Sequence, residues 1–191
     1  MRSSDFGVNI MGEYLLGLDI SGSSTGFAVI EYEILDGLAK LELSKVGHIK
    51  TSSNDPDGVR MQQIRDIIEQ TFERYPINQV IREGSFVARG RNRSTELVQK
   101  AVGVSELTSA DNGFPEIVAY APSTIKKEMT GNGRAEKGEV AEVVFKYFPK
   151  ERFTWKAVKD KKTKQIEMKV VDDETDACAV ILTHLVKRGL I

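Results

Sequence analysis

The chain has 191 residues, of which 40% are hydrophobic and 29% charged, and its formal net charge is −1. This composition predicts an ordinary soluble globular protein with one sizeable core. The single cysteine, Cys178, excludes a disulfide framework within the chain and argues against a cysteine zinc site, and the apolar runs are too short to span a membrane.

Residues 1–12 are predicted to form a loose N-terminal leader, and residues 13–191 a single domain. The leader lacks the apolar core segment of a signal peptide, so the sequence predicts a cytoplasmic location, which would be the host cytoplasm for a phage-encoded protein. Met11 is an alternative start residue.

Three strand-like segments open the predicted domain. Tyr14–Asp19 is a short apolar run that ends in an acid, whereas Thr25–Glu33 and Leu38–Ile49 alternate between apolar and polar residues. Together they predict an antiparallel meander. Apolar residues then recur at helical spacing over residues 61–72, which predicts a helix that stops before Pro76, and Pro56 fits the first turn of this helix.

The second half of the chain alternates between predicted strands and helices. Gln79–Glu83 is another apolar run that ends in an acid, and Ser94 is the predicted N-cap of the helix that follows. This order predicts an α/β sheet with an antiparallel half and a parallel half. The remaining predicted elements are the helix Ser94–Asp111, the strand Pro115–Tyr120, the helices Ser123–Met129, Glu136–Phe148 and Asp173–Arg188, and a hairpin insertion with a basic tip over Phe153–Val171.

Positive charge is concentrated in two stretches. Five basic residues stand against two acids between Arg82 and Lys100, and six lysines stand against two acids between Lys156 and Lys169. Such stretches are typical of surfaces that bind a polyanion, although each one alone also fits a solvated surface.

Four acids are placed where they can meet. Asp19 ends the first predicted strand, Glu83 ends the fourth, and Asp173 and Asp176 lie one turn apart at the start of the last helix. Sites in parallel sheets form outside the carboxyl ends of the strands, so we expect these side chains to converge there. Each acid alone also fits a turn or a helix cap, and only their combination favours a shared site.

A cluster of this kind requires compensating charge. Two carboxylates about 4 Å apart repel by roughly 4 kcal/mol at an effective dielectric near 20, and the stability of a whole domain is only about 5–15 kcal/mol. The cluster must therefore bind cations or protons. All-oxygen ligation favours Mg²⁺ or Mn²⁺ over zinc, and two such ions about 4 Å apart can activate a water and stabilise the leaving oxygen of a phosphodiester.

Three short motifs and two lysines follow one another along the chain. In residues 17–30, Asp19 is followed six residues later by Thr25, Gly26 and Phe27. Residues 82–86 read Arg-Glu-Gly-Ser-Phe, and residues 173–184 contain Asp-x-x-Asp-Ala continuing to Thr-His. Between them lie Ile125-Lys126 and Ala135-Glu136-Lys137. In this order and spacing, the segments resemble the motifs and the two lysines of the RuvC family of Holliday junction resolvases.

The chain also departs from the family's pattern. It has Ile20-Ser21-Gly22 where the family has Pro-Gly-Ser, so the local turn is expected to differ. The insertion over residues 156–169 is larger than in a typical bacterial member and is similar to divergent phage-type members. Asp172 beside Asp173 leaves open which of the two is a ligand.

The resemblance implies an RNase H-like fold, with a mixed five-stranded sheet flanked by helices, in a homodimer that nicks four-way DNA junctions during recombination or repair. It also implies two Mg²⁺ ions per active site, with Mn²⁺ as a substitute and no organic cofactor. The implied metal ligands are Asp19, Glu83, Asp173 and Asp176, with Lys137 as a further catalytic residue. The predicted DNA-binding residues are Phe86, Arg89, Arg91, Arg93, Lys126, Lys127, Arg134 and Lys137.

Three other functions remain open at the level of sequence. An RNase H-like nuclease acting on flaps, forks or RNA–DNA hybrids would use the same acids. The Gly-x-Asp start followed by a Ser/Gly/Thr-rich turn is also found in actin-like ATPases and sugar kinases, but one short domain does not suit them. A non-catalytic DNA-structure binder is disfavoured, because an unused acid cluster only costs stability.

Overall fold

The structure, a computed structural model, describes residues 12–35, 37–84, 92–159 and 164–191. The predicted leader, apart from Gly12, and Phe86, Arg89 and Arg91 lie outside these ranges. The strands are β1 (Glu13–Asp19), β2 (Ser24–Leu35), β3 (Leu38–Lys50), β4 (Ile77–Glu83), β5 (Val118–Tyr120), β6 (Trp155–Lys159) and β7 (Ile166–Val170). The helices are α1 (Asp57–Arg74), α2 (Arg93–Asp111), α3 (Pro122–Thr130), α4 (Lys137–Tyr147) and α5 (Asp172–Lys187), with a short 3₁₀ turn at Lys150–Arg152.

The main sheet has five strands in the order β3-β2-β1-β4-β5. Strands β1, β2 and β3 pair in antiparallel fashion, whereas β4 is parallel to both β1 and β5. This arrangement confirms the predicted mixed sheet with its antiparallel and parallel halves. Strands β6 and β7 form a separate antiparallel hairpin before α5, where the sequence predicted an insertion.

Strand β1 is buried on both faces because it lies at the centre of the sheet. Leu15 belongs to the core under α3, α4 and α5, and its neighbour Leu16 belongs to the core under α1 and α2. Both side chains and Leu18 are fully buried, which explains why β1 is continuously apolar while β3, at the sheet edge, alternates.

Helix α5 lies against β1 and β2 at two glycines. A Cβ atom on Gly17 would come within 2.3 Å of the Ala177 carbonyl oxygen, and a Cβ atom on Gly26 would come within 1.9 Å of the Asp173 carbonyl oxygen. The absence of side chains at these two positions lets the helix backbone approach the sheet directly. This contact fixes where the first turn of α5 lies relative to the end of β1.

The structure corrects two details of the predicted helix starts. The N-cap of α2 is Asn92, whose side-chain oxygen accepts a hydrogen bond from the Thr95 amide, and Ser94 lies inside the helix. Pro56 precedes α1 as its N-cap residue instead of lying in its first turn. Asparagine and serine are about equally good N-caps, so local preference did not distinguish Asn92 from Ser94.

Within the described ranges, no helix is both long and apolar enough to cross a membrane.

Replacing Gly26 with alanine tests the close contact between β2 and α5. The added methyl group meets backbone atoms that cannot rotate away, so we expect G26A to lower the free energy of unfolding by about 1–3 kcal/mol, measured by urea denaturation. Gly103 is an exposed glycine of α2, and a Cβ atom there would have no heavy atom within 4 Å, so G103A is the matched control. It should raise stability by about 0.5–1 kcal/mol, and equal effects of both substitutions would contradict the contact.

Candidate active site

Two of the four predicted acids end neighbouring strands. Leu18 of β1 pairs with Arg82 of β4 in parallel register, so the next residues, Asp19 and Glu83, leave adjacent strands side by side. Neighbouring strands are about 4.8 Å apart, which brings the two carboxylates to the same edge of the sheet.

The first turn of α5 brings the other two acids to this edge. The backbone of Asp173 lies over Gly26, which is the residue directly opposite Asp19 in the pairing of β1 with β2. Ser24 donates a hydrogen bond from its Oγ to Oδ2 of Asp173 at 2.6 Å, so the first residue of β2 fixes this carboxylate. Asp176, one turn later, extends towards α4.

A cleft of about 80 Å³ contains the convergence point. Its acidic lining residues are Asp19, Glu83 and Asp176, and its basic lining residues are Lys126 of α3 and Lys137 of α4. Lys137 donates a hydrogen bond from Nζ to Oδ2 of Asp176 at 2.7 Å. Asp173 is not among the residues that line this cleft, although its charge acts on both Asp19 and Asp176.

The carboxylates shift one another's proton affinity. Burial, followed by the charges of Asp176 and Glu83, raises the pKa of Asp19 well above its usual value. Burial and the charge of Asp176 raise the pKa of Glu83 to about 7. For Asp176, burial outweighs the attraction of Lys137 and its pKa is also raised. Burial and mutual repulsion of the acids therefore outweigh the stabilisation of their charged forms by Lys137.

Lys137 shows the complementary shift. Burial alone would lower the pKa of its ammonium group, but the charge and hydrogen bond of Asp176 outweigh burial and raise the pKa above its ordinary value. Lys137 is therefore a fixed positive charge at neutral pH. Its side chain remains 56% exposed, so it can reach a ligand in the cleft as well as Asp176.

The donor set fits a hard divalent cation. Asp19, Glu83 and Asp176 supply carboxylate oxygens from three separate elements, and their raised pKa values mean that a cation would relieve their repulsion. In the described part of the chain, no three carboxylate, imidazole or thiol groups converge closely enough to ligate one ion as they stand. Because Lys137 is bonded to Asp176, a cation at that carboxylate would compete with this lysine.

The turn between β1 and β2 is organised by residues that the sequence analysis did not single out. The Gly22 carbonyl accepts hydrogen bonds from Thr51 Oγ1 at 2.8 Å and from the guanidinium of Arg60, a cation that is only 5% exposed. A Cβ atom on Gly22 would lie within 2.2 Å of the Leu97 side chain. This explains the displaced glycine after Asp19: the backbone at Gly22 packs directly against α2.

Glu174 is a buried acid that sequence reasoning also missed. It is 2% exposed, and its two oxygens are bonded separately, one to His48 Nδ1 at 2.8 Å and the other to the Thr154 amide at 2.7 Å. Glu174 thereby connects the first turn of α5 to β3 and to the base of the β6–β7 hairpin. In the sequence it is one of four acids within residues 172–176, and nothing local distinguishes it from a solvated one.

The remaining predicted DNA-binding residues occupy different positions. Lys127 and Arg134 are exposed on the α3–α4 segment, next to the cleft-lining Lys126. Arg93 lies at the start of α2 and forms an ion pair of 2.8 Å with Asp57 of α1, so it is not among the residues that line the cleft.

Known proteins share this sequence pattern. A family model described as "Crossover junction endodeoxyribonuclease RuvC" matches residues 15–153. The crossover junction endodeoxyribonuclease RuvC of Neorickettsia sennetsu is 35% identical over 134 residues, which cover 70% of this chain and 78% of that protein. The protein of the same description from Campylobacter hominis is 31% identical over 173 residues, covering 89% of this chain and 94% of that protein.

The fold is also found among solved structures. Thermus thermophilus RuvC superimposes with a TM-score of 0.71 at 24% identity, covering 93% of this chain and 97% of that one. The same protein in complex with a Holliday junction substrate gives a TM-score of 0.68 at 22% identity. These matches confirm the predicted RNase H-like fold.

The raised pKa of Glu83 predicts how stability depends on pH without divalent cations. With a folded-state pKa of about 7 against an ordinary 4.5, the folded protein binds more protons than the unfolded chain between these values. Stability should therefore fall by about 2–3 kcal/mol as pH rises from about 4.5 to 7, because each pKa unit corresponds to about 1.4 kcal/mol.

Urea denaturation in EDTA at a series of pH values measures this effect. The raised pKa values of Asp19 and Asp176 act in the same direction. E83Q should flatten the dependence, whereas E96Q, which changes an exposed glutamate on α2, should keep it. A wild-type protein that gains stability across this pH range would rule out the repulsive cluster.

Proposed function

Because this chain belongs to the RuvC family of crossover junction endodeoxyribonucleases, we propose that it is a DNA endonuclease that resolves Holliday junctions. The observation that carries the proposal for its own residues is the cleft in which Asp19, Glu83 and Asp176 meet from β1, β4 and α5. The negative charge of such an arrangement within one small cleft must be compensated by cations or protons, and cations are what a site that cleaves phosphodiesters requires.

The family is one of metal-dependent nucleases. We propose that this chain binds two Mg²⁺ ions through Asp19, Glu83, Asp176 and one of the two residues Asp172 and Asp173. When bound, the ions supply an activated water and stabilise the leaving oxygen of the phosphodiester. Asp173 is favoured as the fourth ligand, since Ser24 fixes its carboxylate and its charge acts on both Asp19 and Asp176.

Lys137 has two roles in this proposal. In the free protein it neutralises Asp176 through their 2.7 Å contact. A cation held by these carboxylates would compete with the lysine for Asp176, and the half-exposed ammonium group would then be available to the scissile phosphate. A positive charge there stabilises the charge that develops on the phosphate oxygens in the transition state.

The α3–α4 segment continues the positive surface beyond the cleft. Lys126 lines the cleft, and the exposed Lys127 and Arg134 lie on the same segment, so we propose that these three residues bind phosphates on either side of the scissile bond. Arg93 is proposed as a more distant contact, since DNA must compete with Asp57 for its guanidinium.

Phe86, Arg89 and Arg91 complete the proposed DNA surface on the grounds of sequence. Phe86 follows Glu83 closely in the chain, and an aromatic side chain there can stack on a base at an opened junction. We further propose a homodimer, because two identical clefts related by symmetry can nick the two matching strands of a four-way junction.

Replacing Asp19 with asparagine should separate cleavage from binding. The amide keeps the shape of the side chain but removes the charge that binds a cation, so nicking should fall by roughly 10²–10³-fold or more, with junction binding retained. Asp66 is exposed on α1, and D66N, with the same chemical change, should cut normally. Normal cutting by D19N would place the active site elsewhere.

A substrate panel tests the junction preference. In Mg²⁺, the wild-type chain should nick a synthetic four-way junction at least about tenfold faster than linear duplex, a flap or an RNA–DNA hybrid, and it should be inactive in EDTA. A preference for flaps, forks or hybrid would leave a nuclease of this fold but remove the resolvase assignment. Equal cutting with and without Mg²⁺ would remove the metal mechanism.

A further inference from the structure

The β6–β7 hairpin is a feature that the acid cleft does not use. The match to the family model ends at residue 153, and the hairpin begins two residues later. The hairpin directly precedes α5, the helix that carries Asp173 and Asp176. The segment from Lys156 to Lys169 contains six lysines and two acids. The hairpin is therefore the most basic part of the chain next to the acid cluster.

One face of the hairpin places two lysines together. Lys156 is directly opposite Lys169 in the antiparallel pairing, and directly opposed residues lie on the same face. Like charges in this position destabilise a hairpin. Glu167 offers only weak compensation, since its carboxylate is 3.7 Å from the Lys169 ammonium and both side chains are more than half exposed. A polyanion bound to this face would therefore relieve the repulsion between Lys156 and Lys169.

The other face of the hairpin contacts α4 at its base. Trp155 lies on this other face, where its ring stacks on Phe145 of α4 with 5.9 Å between centroids and its indole N–H donates to the Lys150 carbonyl at 3.1 Å. This contact fixes the base of the hairpin on α4, whereas Met168 and Ile166, further along the same face, are exposed. Lys156 and Lys169, on the opposite face, are both exposed to solvent.

The base of the hairpin is bonded to the first turn of α5. The Thr154 amide donates to Glu174 at 2.7 Å, and the Val171 amide donates to the Thr154 carbonyl at 2.9 Å. Lys156 and Lys169 are each two residues from this base, which is about 7 Å along a strand. The position of the lysine pair relative to the acid cluster is thus fixed by the hydrogen bonds of Glu174.

We propose that the β6–β7 hairpin is a second DNA-binding element, in which Lys156 and Lys169 contact backbone phosphates of the DNA arm next to the cleft. This inference rests on the proposed function, which brings a phosphodiester to the acids at the base of the hairpin. Phosphate is the partner that two opposed lysines fit, because the charge of a nucleic acid repeats along its backbone. Contacts of this kind add affinity without sequence preference.

Removing the two charges tests the proposal. The double variant K156Q/K169Q should bind a synthetic four-way junction about tenfold more weakly at low salt, measured by fluorescence anisotropy in EDTA. The slope of log Kd against log salt should become shallower by about 1.8, or about 0.9 for each lost phosphate contact. The fall in affinity should exceed any fall in the single-turnover cleavage rate in Mg²⁺, and K156R/K169R should restore both affinity and slope.

A second pair of charges serves as the matched control. Lys40, which pairs with Glu33 near the far end of β2, and Arg74, at the end of α1, lie at the end of the sheet opposite Asp19. K40Q/R74Q removes the same charge and should leave the salt slope unchanged.

Two results would overturn the inference: wild-type affinity and slope in K156Q/K169Q, or an equal loss in K40Q/R74Q, which would mean that only net charge matters. Junction cleavage by the wild-type chain establishes the proposed function whichever result is found. A wild-type chain that neither binds nor cuts junctions would instead remove the proposed function itself. Circular dichroism of each folded variant separates lost contacts from lost structure.

Discussion

The electrostatic repulsion among Asp19, Glu83 and Asp176 is the constraint on which the rest of this structure depends. Each carboxylate is held in a partly buried cleft, where burial is the largest cause that raises its pKa, and the charge of Asp176 adds to this effect at Asp19 and Glu83. A chain that could relax would turn these side chains outwards into water. The sheet and α5 prevent this, because all three acids emerge from regular elements whose backbones are fixed by hydrogen bonds and core packing.

Close backbone packing provides that rigidity. At Gly17 and Gly26 the backbone of α5 lies so close to the strands that a single added methyl group would not fit between them. In the turn between β1 and β2, Arg60 and Thr51 donate hydrogen bonds to the Gly22 carbonyl and fix its position. The two apolar cores, one on each face of the sheet, stabilise the fold enough to hold the acids together despite their repulsion.

The same repulsion relates the free protein to its function. Lys137 compensates part of the negative charge, yet its exposed side chain leaves it available to another anion. In the proposed function, bound cations would compensate the acids, and the scissile phosphate would pair with Lys137. Binding of substrate and binding of metal are therefore expected to favour one another, because each removes a cost that the other leaves.

The sequence by itself determined the order of the elements and the mixed sheet, and it placed acids at the ends of β1 and β4 and at the start of α5, because these features depend on local periodicity and on which residue ends a strand. Burial of Glu174 between His48 and Thr154, and capping of α2 by Asn92, were decided only by the tertiary structure. Glu174 and Asp173 are adjacent acids with equal local preferences, but helix geometry turns one into the interior and the other towards Ser24. Which acids share a cleft depends on packing between elements that are far apart in the sequence. Short-range sequence patterns carry no information about the distances between the side chains of such elements.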